Sequence, residues 1–130
     1  MLVFRLSPTG FVAYLNPVQL ASFVPNQWHA ILASGLELPA YFAHSKGILL
    51  GGAALSDSLI LRSKELPFPI FETYGMTETV SHIAFRPLGE SSFQPFRTVN
   101  LRVDERGCLK ISGLVTGNEW VQTNDIITLN

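Results

Sequence analysis

Toward the front of the chain, apolar positions come in short runs closed by glycine or proline. Toward the back they alternate with polar residues over stretches too short for helices. Leu2 to Leu6 predicts a short strand closed by Ser7-Pro8-Thr9-Gly10. Asn16 as N-cap and Pro17 at the first helical position, followed by Val18, Leu20, Ala21 and Phe23, predict a turn or two of helix that Pro25 interrupts. Beyond Pro25, the spacing of Trp28, Ile31 and Leu32 predicts a second short helix ending at Gly35, both helices packing on a sheet.

Gly47-Ile48-Leu49-Leu50-Gly51-Gly52 has the pattern of a buried strand ending in a tight turn. Ser56 then caps a helix running to about Glu65, and Pro67 and Pro69 separate it from a strand over Ile70 to Thr73. This strand-helix-strand succession predicts a parallel pair. After Thr79, the runs Val80 to Phe85, Thr98 to Val103 and Cys108 to Ser112 are rich in β-branched and aromatic residues, with no long helix between them. Asp104-Glu105-Arg106-Gly107 between the last two predicts a hairpin. The expected fold class is α/β, with a parallel strand-helix-strand front (residues 1–79) and a β-rich back (residues 80–130).

Composition narrows the class. With 130 residues, 47% of them apolar and 15% charged, the chain can form one core and is not of disordered type. A net charge of −1 with scattered cations argues against nucleic acid as a partner. No apolar run approaches the roughly 20 residues of a membrane span, and neither a signal peptide nor a membrane helix is expected. The single cysteine, Cys108, excludes an internal disulfide and is read as a small buried apolar residue; a cytoplasmic location fits. His29, His44 and His82 lack metal-ligand spacing, so a zinc site is not expected.

Chemistry concentrates in Tyr74-Gly75-Met76-Thr77-Glu78-Thr79, just beyond a predicted strand, where α/β proteins place ligand loops. Tyr74 offers a flat face to a base, Gly75 a close backbone approach, the threonines hydroxyls for phosphate, and Glu78 a hard oxygen ligand for Mg²⁺. On these residues alone, a purely structural turn and a nucleotide loop both stand.

The hexapeptide resembles the signature of the adenylate-forming superfamily, which contains acyl-CoA and aryl-CoA ligases, luciferases and the adenylation domains of peptide synthetases. Three companions occur in the family's order: Val24-Pro25-Asn26-Gln27, Gly51-Gly52-Ala53-Ala54-Leu55-Ser56 and Thr123-Asn124-Asp125. Four ordered matches over about 100 residues are far more specific than any one of them. The resemblance implies a fragment of the family's large N-terminal domain. ATP or AMP would be held by Gly51, Gly52, Ala53, Tyr74, Gly75, Met76, Thr77 and Asp125. Tyr74 would stack on or flank adenine with the Gly51 to Ala53 backbone along the purine's other edge, Thr77 on the α-phosphate, Glu78 on Mg²⁺ and Asp125 on the ribose hydroxyls; Thr77 and Glu78 are the implied catalytic pair.

Val80-Ser81-His82-Ile83-Ala84 and the short segment from Arg86 to Asp125 resemble the o-succinylbenzoate-CoA ligase branch, of menaquinone biosynthesis. That implies Val80, Ser81 and His82 beside the acyl group; a His82 that simply lies on a strand face is the equal alternative. The implied reaction joins a carboxylic acid to coenzyme A through an acyl-adenylate. The alternatives are another aryl or fatty acyl-CoA ligase, an amino-acid adenylation domain, or a non-catalytic nucleotide-binding module. The chain departs from the pattern at Asn124, where the family has glycine, which fits if that backbone takes positive φ. The family's phosphate loop, hinge arginine and lysine-bearing C-terminal domain have no counterpart, so the chain alone is expected to be inactive. A sheet missing neighbours would leave apolar surface exposed and favour self-association.

Overall fold

The structure, a computed structural model, describes residues 2–3 by their backbone and residues 19–130 in full. The expected strand end at residues 4–6, its turn, and the helix start at Asn16-Pro17 lie outside the described residues. The first sheet has the strand order β1 (Leu2–Val3), β2 (Leu20–Phe23), β3 (Gly47–Leu50), β4 (Ile70–Gly75), β5 (His82–Pro87) and β6 (Gln94–Pro95). Strands β1 to β4 are parallel, and β5 and β6 add to the same sheet antiparallel. A second, antiparallel sheet holds β7 (Val99–Val103), β8 (Cys108–Gly113) and β9 (Val121–Ile126). The α/β class, the parallel β3–β4 pair and the β-rich back are therefore as expected. The first sheet continues past residue 79, however, and the change of sheet falls between β6 and β7.

One expected helix is a strand instead. Leu20–Phe23 pairs residue for residue with Gly47–Leu50 and buries Ala21 and Phe23 on alternate positions. Pro25, expected to interrupt a helix, opens one: α1 spans Pro25–Ala33 with proline in its first turn and Val24 extended before it. Proline's fixed φ suits that position, where its missing N–H has no partner to lose, and its ring pushes the preceding residue into extended backbone. Gln27 Oε1 reaches back to accept from Val24 N at 3.1 Å.

Two short helices follow, α2 (Leu38–Phe42), which the pattern did not reveal, and α3 (Asp57–Lys64), which it did. Ser56 caps α3, its hydroxyl accepting from Leu59 N at 3.3 Å; Asp57 in the first turn and Arg62 and Lys64 in the last suit the helix dipole. The main core is aromatic: Phe23 stacks on Trp28 at 5.6 Å, Trp28 meets Phe42 at 6.4 Å, and Phe42 meets Phe68 at 5.6 Å. The buried indole N–H of Trp28 donates to Ser63 Oγ at 2.8 Å, and that hydroxyl donates to Leu59 O at 2.7 Å. This seats α1 on α3 with the polar group satisfied.

In the second sheet, the expected hairpin joins β7 and β8. The Asp104 carboxylate accepts from Arg106 N at 2.9 Å and Cys108 N at 2.7 Å, and from the side chains of Arg106 (3.0 Å) and Gln122 (2.8 Å). Gly107 takes φ +82° at the turn exit. Cys108 is buried on β8, as expected. A second apolar cluster, Ile83, Val99, Leu109 and Ile111, joins this sheet to β5 of the first, and Tyr74 and Met76 pack against it.

Candidate functional site

The candidate residues gather where β3 and β4 end, against the last strand of the second sheet. Gly51 closes β3, its N–H donating to Phe23 O at 3.2 Å. A Cβ there would collide with Thr73 Oγ1, so only glycine lets β3 and β4 lie this close. Gly52, at φ +87°, turns the chain outward, leaving Gly52 and Ala53 exposed.

Tyr74 sits near the end of β4, half-buried. Its ring lies 6.1 Å from that of Phe93, and its hydroxyl donates to Asp125 Oδ2 on β9. Burial, and then the Asp125 carboxylate, push the Tyr74 phenol above its ordinary value of 10.0. It therefore remains a donor throughout the neutral range.

Beyond Tyr74 the register of the β4–β5 pair shifts, and the loop folds back so that a Cβ on Gly75 would strike the Ser81 carbonyl. Thr77–Thr79 form one 3-10 turn after extended Met76. Thr79 is fully buried and holds that turn together: its hydroxyl takes the Met76 N–H at 3.0 Å and lies 3.0 and 2.9 Å from the carbonyls of Met76 and Ser81. Thr77 and Glu78 project into solvent, and Glu78 has no partner among the described residues. Val80 is exposed and takes φ +63°, rare for a β-branched residue. Ser81 is exposed. His82 is half-buried at the start of β5, opposite Gly75, and burial lowers its imidazole pKa.

Asp125 is exposed on β9, its N–H held by Thr123 Oγ1 at 3.1 Å. The condition attached to Asn124 is not met. It lies in strand, and Val80 and Asn118 are the only non-glycine residues with positive φ among those described. In extended backbone no glycine is required, so asparagine fits without it.

A metal at this turn would meet one free carboxylate, since no group of three His, Cys, Asp or Glu side chains is placed to hold an ion among the described residues. That suits Mg²⁺, which is commonly carried by one or two carboxylates together with phosphate oxygens and water.

Three features of this corner were not read from the sequence. Phe93 flanks Tyr74; Arg86 lies 4.3 Å from the centre of the Phe93 ring; and Arg86 Nε pairs with buried Glu72 at 2.7 Å. Glu72 and Arg86 face each other across β4 and β5, a relation set by register and not by spacing along the chain. Phe93 could have been suspected as a lone aromatic in the polar run Ser91-Ser92-Phe93-Gln94.

No family model matches the chain. Two curated proteins called 2-succinylbenzoate–CoA ligase are similar to it. That of Enterococcus faecalis is 31% identical over 74 residues, which is 52% of this chain and 15% of that protein. That of Staphylococcus epidermidis is 40% identical over 65 residues, which is 50% of this chain and 13% of that protein. Among solved structures, an AMP-forming acyl-CoA synthetase/AMP-acid ligase II-like protein from Dyadobacter fermentans superposes with a TM-score of 0.76 at 36% identity, covering 88% of this chain and 33% of that one. Unliganded o-succinylbenzoate coenzyme A synthetase from Bacillus subtilis gives 0.65 at 24% identity, over 83% and 30%. The same enzyme in complex with ATP and magnesium ion gives 0.62 at 24% identity, over 79% and 24%. At those lower identities the likeness speaks for the fold alone. The chain spans about a third or less of the proteins it matches. In fold, ordered motifs and these likenesses the chain is similar to a part of AMP-forming acyl-CoA synthetases and 2-succinylbenzoate–CoA ligases.

Proposed function

We propose that this chain forms the adenosine-monophosphate half of the ATP site of an acid–CoA ligase. In the reaction, a carboxylate attacks the α-phosphorus of ATP and pyrophosphate leaves. The acyl group of the adenylate then passes to coenzyme A, releasing AMP. The observation that carries this reading is the meeting of Tyr74 and Asp125, 51 positions apart, beside the Gly51 turn. A flat ring, an acceptor-only carboxylate and an open backbone edge are what a purine, a diol and a base edge require.

In this reading Tyr74 flanks adenine, the backbone of Gly51, Gly52 and Ala53 lies along the purine edge, and Asp125 accepts from the ribose hydroxyls. Gly75 and Met76 shape the loop between ring and phosphate. The Thr77 hydroxyl donates to an α-phosphate oxygen. Glu78 would hold Mg²⁺, which, when bound, neutralises charge on the phosphates as pyrophosphate departs. Thr77 and Glu78 are catalytic because they touch the reacting phosphate and its metal. Val80, Ser81 and His82 border the acid. The names of the curated relatives support 2-succinylbenzoate as that acid; menaquinone biosynthesis as its setting rests on the resemblance of the Val80 to Ala84 segment.

Alone, the chain supplies too little of the site for turnover. With ATP, Mg²⁺, CoA and o-succinylbenzoate, pyrophosphate release stays at background, while ATP binds in a Mg²⁺-dependent way that Glu78→Gln removes. Release above background that Glu78→Ala abolishes, or ATP binding indifferent to both Mg²⁺ and Glu78→Gln, contradicts the reading.

A further inference from the structure

We propose that the Tyr74 hydroxyl is a positioning group for Asp125: by holding Oδ2 it presents Oδ1 to the vicinal diol of a bound nucleoside, so that base platform and diol acceptor act as one unit. The inference rests on the nucleotide reading above and adds to it a role for the hydroxyl, distinct from the ring. Asp125 is exposed near the end of β9, and besides Tyr74 the one side chain bonded to it among the described residues is Thr123, whose Oγ1 accepts from the Asp125 N–H. An exposed carboxylate with a free side chain samples several rotamers, and ordering it on binding costs affinity. Tyr74 removes that freedom beforehand, because it is itself fixed. Its ring lies against Phe93, whose ring carries Arg86, and Arg86 is anchored to Glu72 and donates to Ser91 O at 3.3 Å. The apolar cluster under the second sheet also packs against Tyr74. A carboxylate has about four lone-pair sites, so one bond from Tyr74 leaves capacity for two ribose hydroxyls.

The charged and titratable groups around the pair are few. Asp125 is the partner itself, Thr123 is neutral, and Arg86 contacts the far ring of Phe93. The phenol, raised above its ordinary value, keeps its proton wherever the enzyme chemistry would run.

The test uses the full chain with AMP and 2′,3′-dideoxy-AMP, measured by calorimetry for wild type, Tyr74→Phe, Asp125→Asn and the double variant. Tyr74→Phe keeps the ring and removes only the hydroxyl. It should weaken AMP by about five- to tenfold, the net scale of one ordinary hydrogen bond, since the hydroxyl acts indirectly, and shift dideoxy-AMP by less than about twofold. In the Asp125→Asn background the same change should alter AMP affinity by less than about twofold, because the hydroxyl acts through Asp125. Equal weakening of both nucleotides, unchanged AMP affinity, or additivity in the double variant overturns the proposal. Ultraviolet titration supplies a ligand-free arm. The chain has three tyrosines, so the Tyr74 transition is identified as the one missing in Tyr74→Phe. Asp125→Asn should move it to lower pH, and an unmoved transition also overturns the proposal. If that transition moves but neither nucleotide binds any variant, the nucleotide reading itself fails and the inference falls with it. If AMP binds wild type but Tyr74→Phe affects both nucleotides alike, the inference alone fails.

Discussion

The two sheets are stabilised in different ways, and the candidate site lies where they meet. The first has a core of its own, in which Phe23, Trp28, Phe42 and Phe68 interlock beneath parallel strands. The second has a small cluster of four buried aliphatic residues, one of which, Ile83, belongs to the first sheet. The rest of its order comes from polar ties at the Asp104 turn. The first sheet is a scaffold that needs little from its neighbour, whereas the second is held in place by the cluster on which Tyr74 and Met76 also rest. Stability of the scaffold and geometry of the site are therefore separable by mutation.

The largest effect should come from the scaffold. Trp28→Ala empties a fully buried site and removes the donor to the Ser63 oxygen, so it should cost about 3–5 kcal/mol in denaturant unfolding. A loss under about 1 kcal/mol would mean that the aromatic core is not what holds the first sheet.

Ile111→Ala should cost less, about 2–3 kcal/mol, since the cluster around it is small and can partly collapse. It should nevertheless weaken AMP binding in chains that remain folded, because the cavity opens beneath Tyr74. Retained affinity would show that the second cluster does not support the site.

Smaller still is the effect of acid on the hairpin. Backbone donation from Cys108 first, and then Arg106, hold the Asp104 carboxyl below its ordinary pKa. Its contribution is therefore present above about pH 4, the unfolded value, and is lost as pH falls through the folded one. The protection factors of the Cys108 and Arg106 amides against hydrogen exchange should fall over that descent, and Asp104→Ala should show the low protection already at neutral pH. At the alkaline end the sign reverses for Tyr74, whose raised pKa contributes stability that is complete below about pH 10 and declines above it. Unfolding free energy should fall more steeply above pH 10 for wild type than for Tyr74→Phe. Matching slopes would mean that the phenol gains nothing from its setting.

What the sequence disclosed follows the same division. Gly47–Leu50, the Ser56-capped helix and the strand from Ile70 were legible because each pairs an apolar run with a strong stop signal. Leu20–Phe23 was misread as helix because its three apolar residues fit either period, and its strand pairing is decided by Gly47–Leu50, far along the chain. β9 escaped notice because Gln122 to Asp125 is an uninterrupted polar run that owes its extended form to β8. The candidate site's residue types were visible through the four ordered motifs. Their mutual placement was not, since the Tyr74–Asp125 contact and the Glu72–Arg86–Phe93 support are products of register and of the way two sheets pack.

The central claim is that Gly51 to Ala53, Tyr74 to Glu78 and Asp125 surround one nucleotide. Backbone amide shifts of the isotopically labelled chain, titrated with AMP and Mg²⁺, test it most directly. Saturable shifts should cluster in residues 51–53, 74–78 and 123–125, the last group disappearing in Asp125→Asn. Shifts scattered over the surface, or confined to one of the three segments, would contradict a shared site.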